Sequence, residues 1–336
     1  MPIQHMTSKE RFFALLNNIP ADRPAVINPV SAVTSESLSA LDLDFPKVHL
    51  DAESTAALAC YSHEVLGFDS IMPYPSVVAE AAALNAEINW GDGQNMPTQL
   101  SLVFNEPEQV KVPEKFLDSP STRCIIDAIK IIASRHANDA LILGKVMGPW
   151  TLCLHLYGME NTLISTIDDR EKLSDMLRAL MSFSKVFAAA QLEAGAHMVT
   201  IADHATRNLI GPKVYDDFIK PLHQELNKEF PGKLILHCCG NTEDRVELFE
   251  EAGFPLYHFE SANNIGIMVK LTHKMKLTGC VNNPTVLLSG SREEVIETTK
   301  NILSHGINIL SPECAVPLRT PNANLMAIVD CAKGIV

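Results

Sequence analysis

Positive charge is scarce in this sequence. Its 336 residues include 27 lysines and arginines against 40 aspartates and glutamates, which gives a formal net charge of -13. A protein that binds nucleic acid through the phosphate backbone needs a basic surface, and attraction to an anionic membrane needs clustered basic residues. The acidic balance therefore argues against a general nucleic-acid-binding protein and against a protein that docks to a membrane surface.

Long apolar runs are also missing. No stretch of the sequence reaches the roughly 20 apolar residues of a membrane-spanning helix, and the segment MPIQHMTSKERFFALL lacks the regions of a secretory signal peptide. Eight scattered cysteines are too few for the disulfide framework of a secreted protein. We therefore expect a cytoplasmic protein. Four of its cysteines lie in apolar, helix-like surroundings and are interpreted as small buried residues: Cys60, Cys124, Cys153 and Cys331.

Strand-like apolar runs alternate with helix-like segments along the chain, with an interruption at residues 88–99. Because the runs are almost continuously apolar, they fit strands buried on both faces of a parallel sheet. Eight strand–helix units in a chain of this length predict an α/β fold, a (β/α)8 TIM barrel, with a doubly wound open sheet as the alternative. We expect one barrel domain over residues 1–336, of which residues 1–24 are a helical N-terminal extension. The candidate strands are AVINPV, SIMPYP, ALILGKV, HMVTIAD, KLILHCC, LYHFE, LTGCVN and INILSPEC.

Polar residues gather where the last five candidate strands end. In a TIM barrel the active site lies at the C-terminal ends of the strands, so these residues would share one rim. Five independent polar clusters at one rim predict an enzyme. The clusters are Asp203 with His204, His237 with Cys239, Glu260, Asn282 with Asn283, and Glu313 with Cys314.

A candidate metal site is split between two of these strand ends. His237 and Cys239 are two residues apart, so on a strand they project from the same face. Cys314 ends the last candidate strand, on the opposite side of a narrow barrel mouth. One imidazole and two thiolates suit zinc, and three protein ligands leave the open position of a catalytic site.

Two other interpretations of these residues stay open. His237 could pack against a loop while Cys239 and Cys314 are inert thiols. A purely structural zinc is the second alternative, although such sites usually have four ligands at close sequence spacing. Cys238 faces away from its two neighbours and is expected in the core.

Two carboxylates are candidate catalytic residues. Glu260 could supply a displaceable oxygen ligand to the metal, or it could accept a backbone hydrogen bond and help to orient His237. Asp203 could act as a general base, or it could only position its neighbours.

Three further rim residues are candidates for contacts with a cofactor or substrate: Asn282, His204 and Arg207. His204 could instead be a hydrogen-bonded rim residue. Arg207 could bind an anionic group, or it could be a solvated loop arginine.

The ligand set restricts the chemistry. Zinc with two thiolates has a formal charge near zero, so it activates water less well than zinc held by three histidines. Metal coordination nevertheless deprotonates a thiol at neutral pH, and an electron-rich site leaves the sulfur nucleophilic. The set therefore favours alkylation of a thiol over hydrolysis.

These motifs resemble those of the uroporphyrinogen decarboxylase superfamily. Within it, the chain looks most like the zinc-dependent methylcobamide:coenzyme M methyltransferases of methanogens and their bacterial relatives. The resemblance spans nearly the whole chain and is most specific in three segments: LILHCCGNT, LTGCVNNPTVLLSGSREEV and INILSPECAVPLRTPNANLMAI.

The resemblance implies a TIM barrel in which His237, Cys239 and Cys314 hold zinc, with Glu260 near the metal. It implies methyl transfer from a methylated corrinoid to a zinc-bound thiolate such as coenzyme M. The chain shows no Asp-x-His-x-x-Gly pattern of a corrinoid-carrying domain. A separate small corrinoid protein would therefore be the partner.

Three alternatives to this activity remain. Some relatives work in the opposite direction and demethylate a substrate onto the corrinoid. A decarboxylase-like lyase is a second possibility, but the Met-Arg-Gln-Ala-Gly-Arg stretch of the porphyrin decarboxylases is absent. A zinc-containing partner of a corrinoid protein without catalytic activity is the third.

Overall fold

Eight parallel strands form the central sheet in a computed structural model that describes residues 5–92 and 95–336. Two further strands, β3 and β4, form a separate antiparallel hairpin. The strands are β1 (Ala25–Val26), β2 (Ser70–Ile71), β3 (Ile88–Asn89), β4 (Thr98–Gln99), β5 (Leu141–Met147), β6 (Met198–Ala202), β7 (Leu234–Cys238), β8 (Leu256–Phe259), β9 (Lys276–Val281) and β10 (Ile309–Pro312).

The sheet curls into a barrel. Its strand order is β1-β10-β9-β8-β7-β6-β5-β2, so β1 and β2 are the edges that must meet. The Asp69 amide donates to the Val26 carbonyl over 2.6 Å, and the Val26 amide donates to the Asp69 carboxylate over 2.7 Å. These bonds join the two edges, and the predicted (β/α)8 TIM barrel is confirmed.

The eight predicted strands are all present, but the first two are much shorter than predicted. Pro29 follows β1, and Pro73 and Pro75 follow β2. Because proline has no amide hydrogen to donate, it stops a strand ladder. Beyond the strands, a side chain links the two segments: the Asn28 backbone amide donates to the Ser70 hydroxyl over 3.0 Å.

Helices surround the barrel and connect its strands. Short 3-10 turns occupy Pro107–Gln109 and Phe116–Asp118, and π-helical turns occupy Leu154–Gly158, Tyr215–Ile219 and Asn283–Leu288. The α-helices are α1 (Ser8–Leu16), α2 (Ser35–Ala40), α3 (Phe45–Val48), α4 (Ala52–Glu64), α5 (Ala79–Ala83), α6 (Pro120–His136), α7 (Pro149–Cys153), α8 (Met159–Asp168), α9 (Arg170–Ala194), α10 (Pro212–Val214), α11 (Lys220–Glu229), α12 (Val246–Glu251), α13 (Ile265–Leu271), α14 (Arg292–Ser304) and α15 (Asn322–Ala332).

The segment SALDLD contains the end of a helix. α2 ends at its second residue, and Asp42 adopts a left-handed φ of 54°. Asp44 then caps the start of α3 by accepting from the Lys47 amide over 3.0 Å. Aspartate favours such turns and caps because its side chain competes for backbone hydrogen bonds.

The N-terminal helix α1 is fixed to the closing edge of the barrel. Thr7 and Glu10 form a capping box at its start. Arg11 is buried and pairs with Asp22 and Asp69, each at 2.7 Å. Asp69 therefore connects α1, β1 and β2. Residues 1–4 of the predicted extension lie outside the described residues.

The predicted interruption at residues 88–99 corresponds to the β3–β4 hairpin, of which residues 93 and 94 lie outside the described part of the chain. Gln99 donates to the His155 carbonyl over 2.7 Å, which ties the hairpin to the barrel.

In the described residues, no helix is both long and apolar enough to cross a membrane. The cysteines predicted as buried are confirmed: Cys60, Cys124, Cys153 and Cys331.

A local distortion of β9 lies beside the end of β8. Gly279 and Cys280 have left-handed φ values of 113° and 72°. A Cβ atom added to Gly279 would lie 2.2 Å from the Phe259 carbonyl oxygen, closer than atoms can approach. Glycine is therefore required here both by backbone conformation and by space.

We predict that Gly279→Ala lowers the free energy of unfolding by about 3 kcal/mol or more, because strain and a backbone clash add. Gly306→Ala is the control: its φ is 83°, but nothing lies within 4 Å of the added Cβ. It should cost only about 1 kcal/mol. Urea denaturation measures both, and equal losses would contradict the close approach.

Candidate metal centre

Three side chains converge at the C-terminal mouth of the barrel. His237 lies near the end of β7, Cys239 directly follows that strand, and Cys314 follows β10. Nε2 of His237 is 3.1 Å from Sγ of Cys239, the two sulfur atoms are 3.5 Å apart, and Sγ of Cys314 is 3.5 Å from the same Nε2. The structure therefore brings together the three residues that the sequence singled out as ligands.

The size of this triangle fits zinc. Tetrahedral bonds of about 2.3 Å to sulfur and about 2.0 Å to nitrogen place neighbouring ligand atoms about 3.5 to 3.8 Å apart. The three donor atoms need to move by only a few tenths of an ångström. One imidazole and two thiols are also the soft donors that zinc prefers.

The two cysteines have opposite pKa shifts in this arrangement. The hydrogen bond donated by the Cys239 thiol lowers the pKa of Cys314 well below its ordinary value, and the neighbouring His237 acts in the same direction. The same hydrogen bond, together with burial, raises the pKa of Cys239. Two thiolates this close would repel each other, so both can ionise only when a cation lies between them.

His258 contacts both parts of the chain that carry the three candidate ligands. Its ring lies 4.7 Å from the ring of His237, and its Nε2 contacts the Pro312 carbonyl at 2.7 Å. Burial lowers the pKa of His258 well below its ordinary value, so the ring stays neutral. Neutral His258 therefore packs under one ligand and fixes the strand end that precedes Cys314.

Glu260 lies beside the metal ligands. Its carboxylate accepts from the Gly240 amide over 2.7 Å. Burial raises the pKa of Glu260, while the hydrogen bond from Gly240 acts the other way. The backbone contact that the sequence allowed is thus present. Through Gly240, Glu260 holds the loop that carries Cys239.

The family model for uroporphyrinogen decarboxylase (URO-D) matches residues 7–335. The chain belongs to the uroporphyrinogen decarboxylase family. Among similar members is a methylcobamide:CoM methyltransferase (MtbA) of Methanosarcina acetivorans, 28% identical over 98% of both chains.

Two other relatives of this family are similar over most of their length. A methylated-thiol–coenzyme M methyltransferase of Methanosarcina mazei is 26% identical over 98% of this chain and 90% of its own. A solved methyltransferase from Methanosarcina mazei superposes with a TM-score of 0.94 at 26% identity, covering 98% of this chain and 99% of the other.

Glu313 connects the ends of three strands at the barrel mouth. It is 6% exposed, and one oxygen accepts from the Ser261 amide over 2.9 Å. The other oxygen accepts from the Asn283 amide over 2.7 Å. Glu313 therefore fixes the loops after β8 and β9 relative to Cys314, its neighbour in sequence.

Asp203 has a positioning role in the structure. Its carboxylate is 1% exposed and accepts from the Thr151 amide over 2.7 Å and from the Trp150 amide over 3.4 Å. It also contacts Nε2 of the buried His223 at 2.9 Å. Because these contacts occupy both oxygens, the structure favours the positioning role that the sequence left open over that of a general base.

The three predicted cofactor contacts differ in their surroundings. Asn282 caps the turn that follows it by accepting from the Thr285 amide over 2.7 Å, and it donates to Ser261 over 2.8 Å. His204 is half-buried, and its backbone amide donates to the Thr151 hydroxyl over 2.7 Å, while burial lowers the pKa of its imidazole. Arg207 is exposed, which favours the solvated loop role.

Lys145 was missed in the sequence although it lies inside the apolar run ALILGKV. It is 1% exposed and belongs to β5. A lysine in a strand that is buried on both faces is rare, and that mismatch was the available signal.

We predict that Asp203→Asn lowers the free energy of unfolding by about 2 kcal/mol while metal binding is retained, because an amide cannot accept all three contacts. Asp216→Asn is the control: the Asp216 side chain is 47% exposed where it pairs with Lys220, so the change should cost less than about 1 kcal/mol. A variant of Asp203 with normal stability but no turnover would restore the general-base role.

Proposed function

We propose that this protein is a zinc-dependent methyltransferase that moves a methyl group between a methylated corrinoid and a thiol such as coenzyme M. The observation that carries the proposal is the convergence of His237, Cys239 and Cys314 at the barrel mouth, with separations of 3.1 to 3.5 Å. The names of the methyltransferase relatives support the same reaction.

Each residue of the centre has a part in this proposal. His237, Cys239 and Cys314 would hold the metal and leave one position open. Zinc bound there supplies the Lewis acidity that keeps a thiol substrate deprotonated at neutral pH. Glu260 and Glu313 position the loops at the mouth by accepting from their backbone amides. The methyl donor would approach the open position from outside the barrel.

The proposed transfer is a substitution at carbon. The substrate sulfur forms a bond to the methyl carbon while the cobalt–carbon bond of the corrinoid breaks, and its electron pair stays on cobalt as Co(I). The thiol proton is released to solvent. A small corrinoid protein would supply the cofactor, so we propose a transient contact between that partner and the barrel mouth.

The reverse direction is a second candidate. A relative whose name includes a methylated thiol favours it, since a thioether would then be the methyl donor. The lyase alternative has less support because the arginine-containing stretch of the porphyrin decarboxylases is absent. The cytoplasmic location and the single-domain organisation stay predictions.

We predict that the purified protein binds about one zinc ion per chain and that Cys314→Ser weakens zinc affinity by about 100-fold or more. Cys331→Ser is the matched control, because Cys331 is buried in α15 and is not part of the centre. Elemental analysis and competition with a chromophoric chelator measure both. Zinc content well below one per chain in the wild type would count against the proposal.

We predict that the zinc-loaded protein converts methylcobalamin to Co(I) when coenzyme M is added, which absorbance spectroscopy can follow. Cys314→Ser should abolish this turnover while it still forms a complex with the corrinoid protein. If the wild type transfers methyl in neither direction with any thiol, the role of a non-catalytic partner is supported instead.

A further inference from the structure

Lys145 points into the barrel. Its neighbour Gly144 faces outward, since a Cβ added there would meet Gln191 of α9 at 2.5 Å. Side chains alternate along a strand, so Lys145 faces the barrel axis together with Met147. In the ladder, Met147 pairs with Ala202 and Ala202 pairs with His237, which places Lys145 one layer below the histidine ligand.

The ammonium group of Lys145 nevertheless reaches up to the mouth. Its Nζ lies 4.1 Å from the ring centroid of Tyr74 and 3.5 Å from the Ser76 carbonyl oxygen. Both residues belong to the loop that follows β2 at its C-terminal end. The charge is therefore on the same rim as the metal centre.

This ammonium has too few partners for a buried charge. Two other buried cations show the usual solution: Arg11 has carboxylates at 2.7 Å, and Arg245 has one at 2.9 Å. For Lys145, no carboxylate oxygen of residues 5–92 and 95–336 lies within 4.0 Å. An ammonium has three hydrogens to donate, yet within the described part of the chain Lys145 makes one hydrogen bond, to the Ser76 carbonyl, and it is long.

Glu80 does not form a direct ion pair with Lys145. One oxygen of Glu80 accepts from the Met147 amide over 2.8 Å, and the other accepts from the Tyr74 hydroxyl. Burial raises the pKa of Glu80, while these hydrogen bonds and the charge of Lys145 act the other way. Glu80 therefore holds Tyr74 and β5 in place and acts on Lys145 only at a distance.

Lys145 also interacts electrostatically with the metal ligands. Burial lowers the pKa of Lys145 to about 8, against the charges of Glu80, Cys314 and Cys239. A divalent metal would neutralise the two thiolates, and without their charge the ammonium form of Lys145 is harder to keep in the buried site. An anion placed beside Lys145 would stabilise the ammonium form and would in turn be held by it.

We propose that Lys145 determines substrate specificity by binding the anionic end group of the thiol, a sulfonate or carboxylate a few atoms from the sulfur. The inference rests on the proposed function, because it places the sulfur at the metal centre. It identifies the residue that would distinguish an anionic thiol from a neutral one. Neutral thiols of the same length would lack the second point of attachment.

The test compares one anionic and one neutral thiol of equal length, 2-mercaptoethanesulfonate and 2-mercaptoethanol, on the zinc-loaded protein. We predict that Lys145→Met lowers the ratio of their kcat/KM values by about 30-fold or more. The ratio of their Kd values from calorimetry should shift to the same extent. Lys145→Arg should recover part of both ratios, because it keeps the charge. Running 3-mercaptopropionate in parallel separates sulfonate from carboxylate recognition.

Lys276→Met is the matched control. Lys276 also belongs to a barrel strand, but it lies at the start of β9, at the opposite end of the barrel. Both ratios should stay unchanged in this variant. If Lys145→Met weakens both thiols equally, or leaves the ratios unchanged, Lys145 has only a structural role and the inference is overturned.

A binding measurement without a thiol separates this inference from the proposed function. Ethanesulfonate carries the anionic group but no sulfur nucleophile, and it should raise the melting temperature of the wild type and of Lys276→Met but not that of Lys145→Met. If the wild type transfers no methyl group to any thiol while this difference is observed, the proposed function fails and the anion site stands. If ethanesulfonate has no effect on the wild type, the anion site fails.

Discussion

The centre depends on a constraint between two sulfur atoms. Cys239 and Cys314 are 75 positions apart in sequence, yet their sulfur atoms lie 3.5 Å apart in a partly buried site. Two negative charges cannot occupy that separation in a medium of low polarity unless a cation lies between them. This electrostatic requirement, together with the kind of ligand, supports the proposed divalent metal.

The barrel meets this requirement by fixing the strand ends with polar side chains. Glu313 spans three loops, and His258 joins the ends of β8 and β10 beneath the ligands. Gly279 allows β9 to bend where it passes Phe259. Such contacts hold the ligand atoms in place before any metal binds, so little conformational entropy is left to lose on binding.

The alternation of apolar runs and helices was enough to predict the barrel, and the polar strand ends were enough to predict which rim carries the centre. The spacing of His237 and Cys239 could be interpreted because side-chain direction on a strand has a period of two. The role of Asp203 could not be predicted from the sequence, since two of its partners are backbone amides 52 and 53 residues away. The role of Lys145 could not be predicted either, because the residues that it contacts lie in a loop distant in sequence.

X-ray absorption at the zinc edge of the loaded protein tests the central claim most directly. The account predicts two sulfur atoms at about 2.3 Å and one imidazole nitrogen at about 2.0 Å, with the remaining position held by an exchangeable light atom. Addition of a thiol should raise the number of sulfur neighbours from two to three. A zinc shell of nitrogen and oxygen atoms alone, or two sulfurs that stay two after thiol is added, would contradict it.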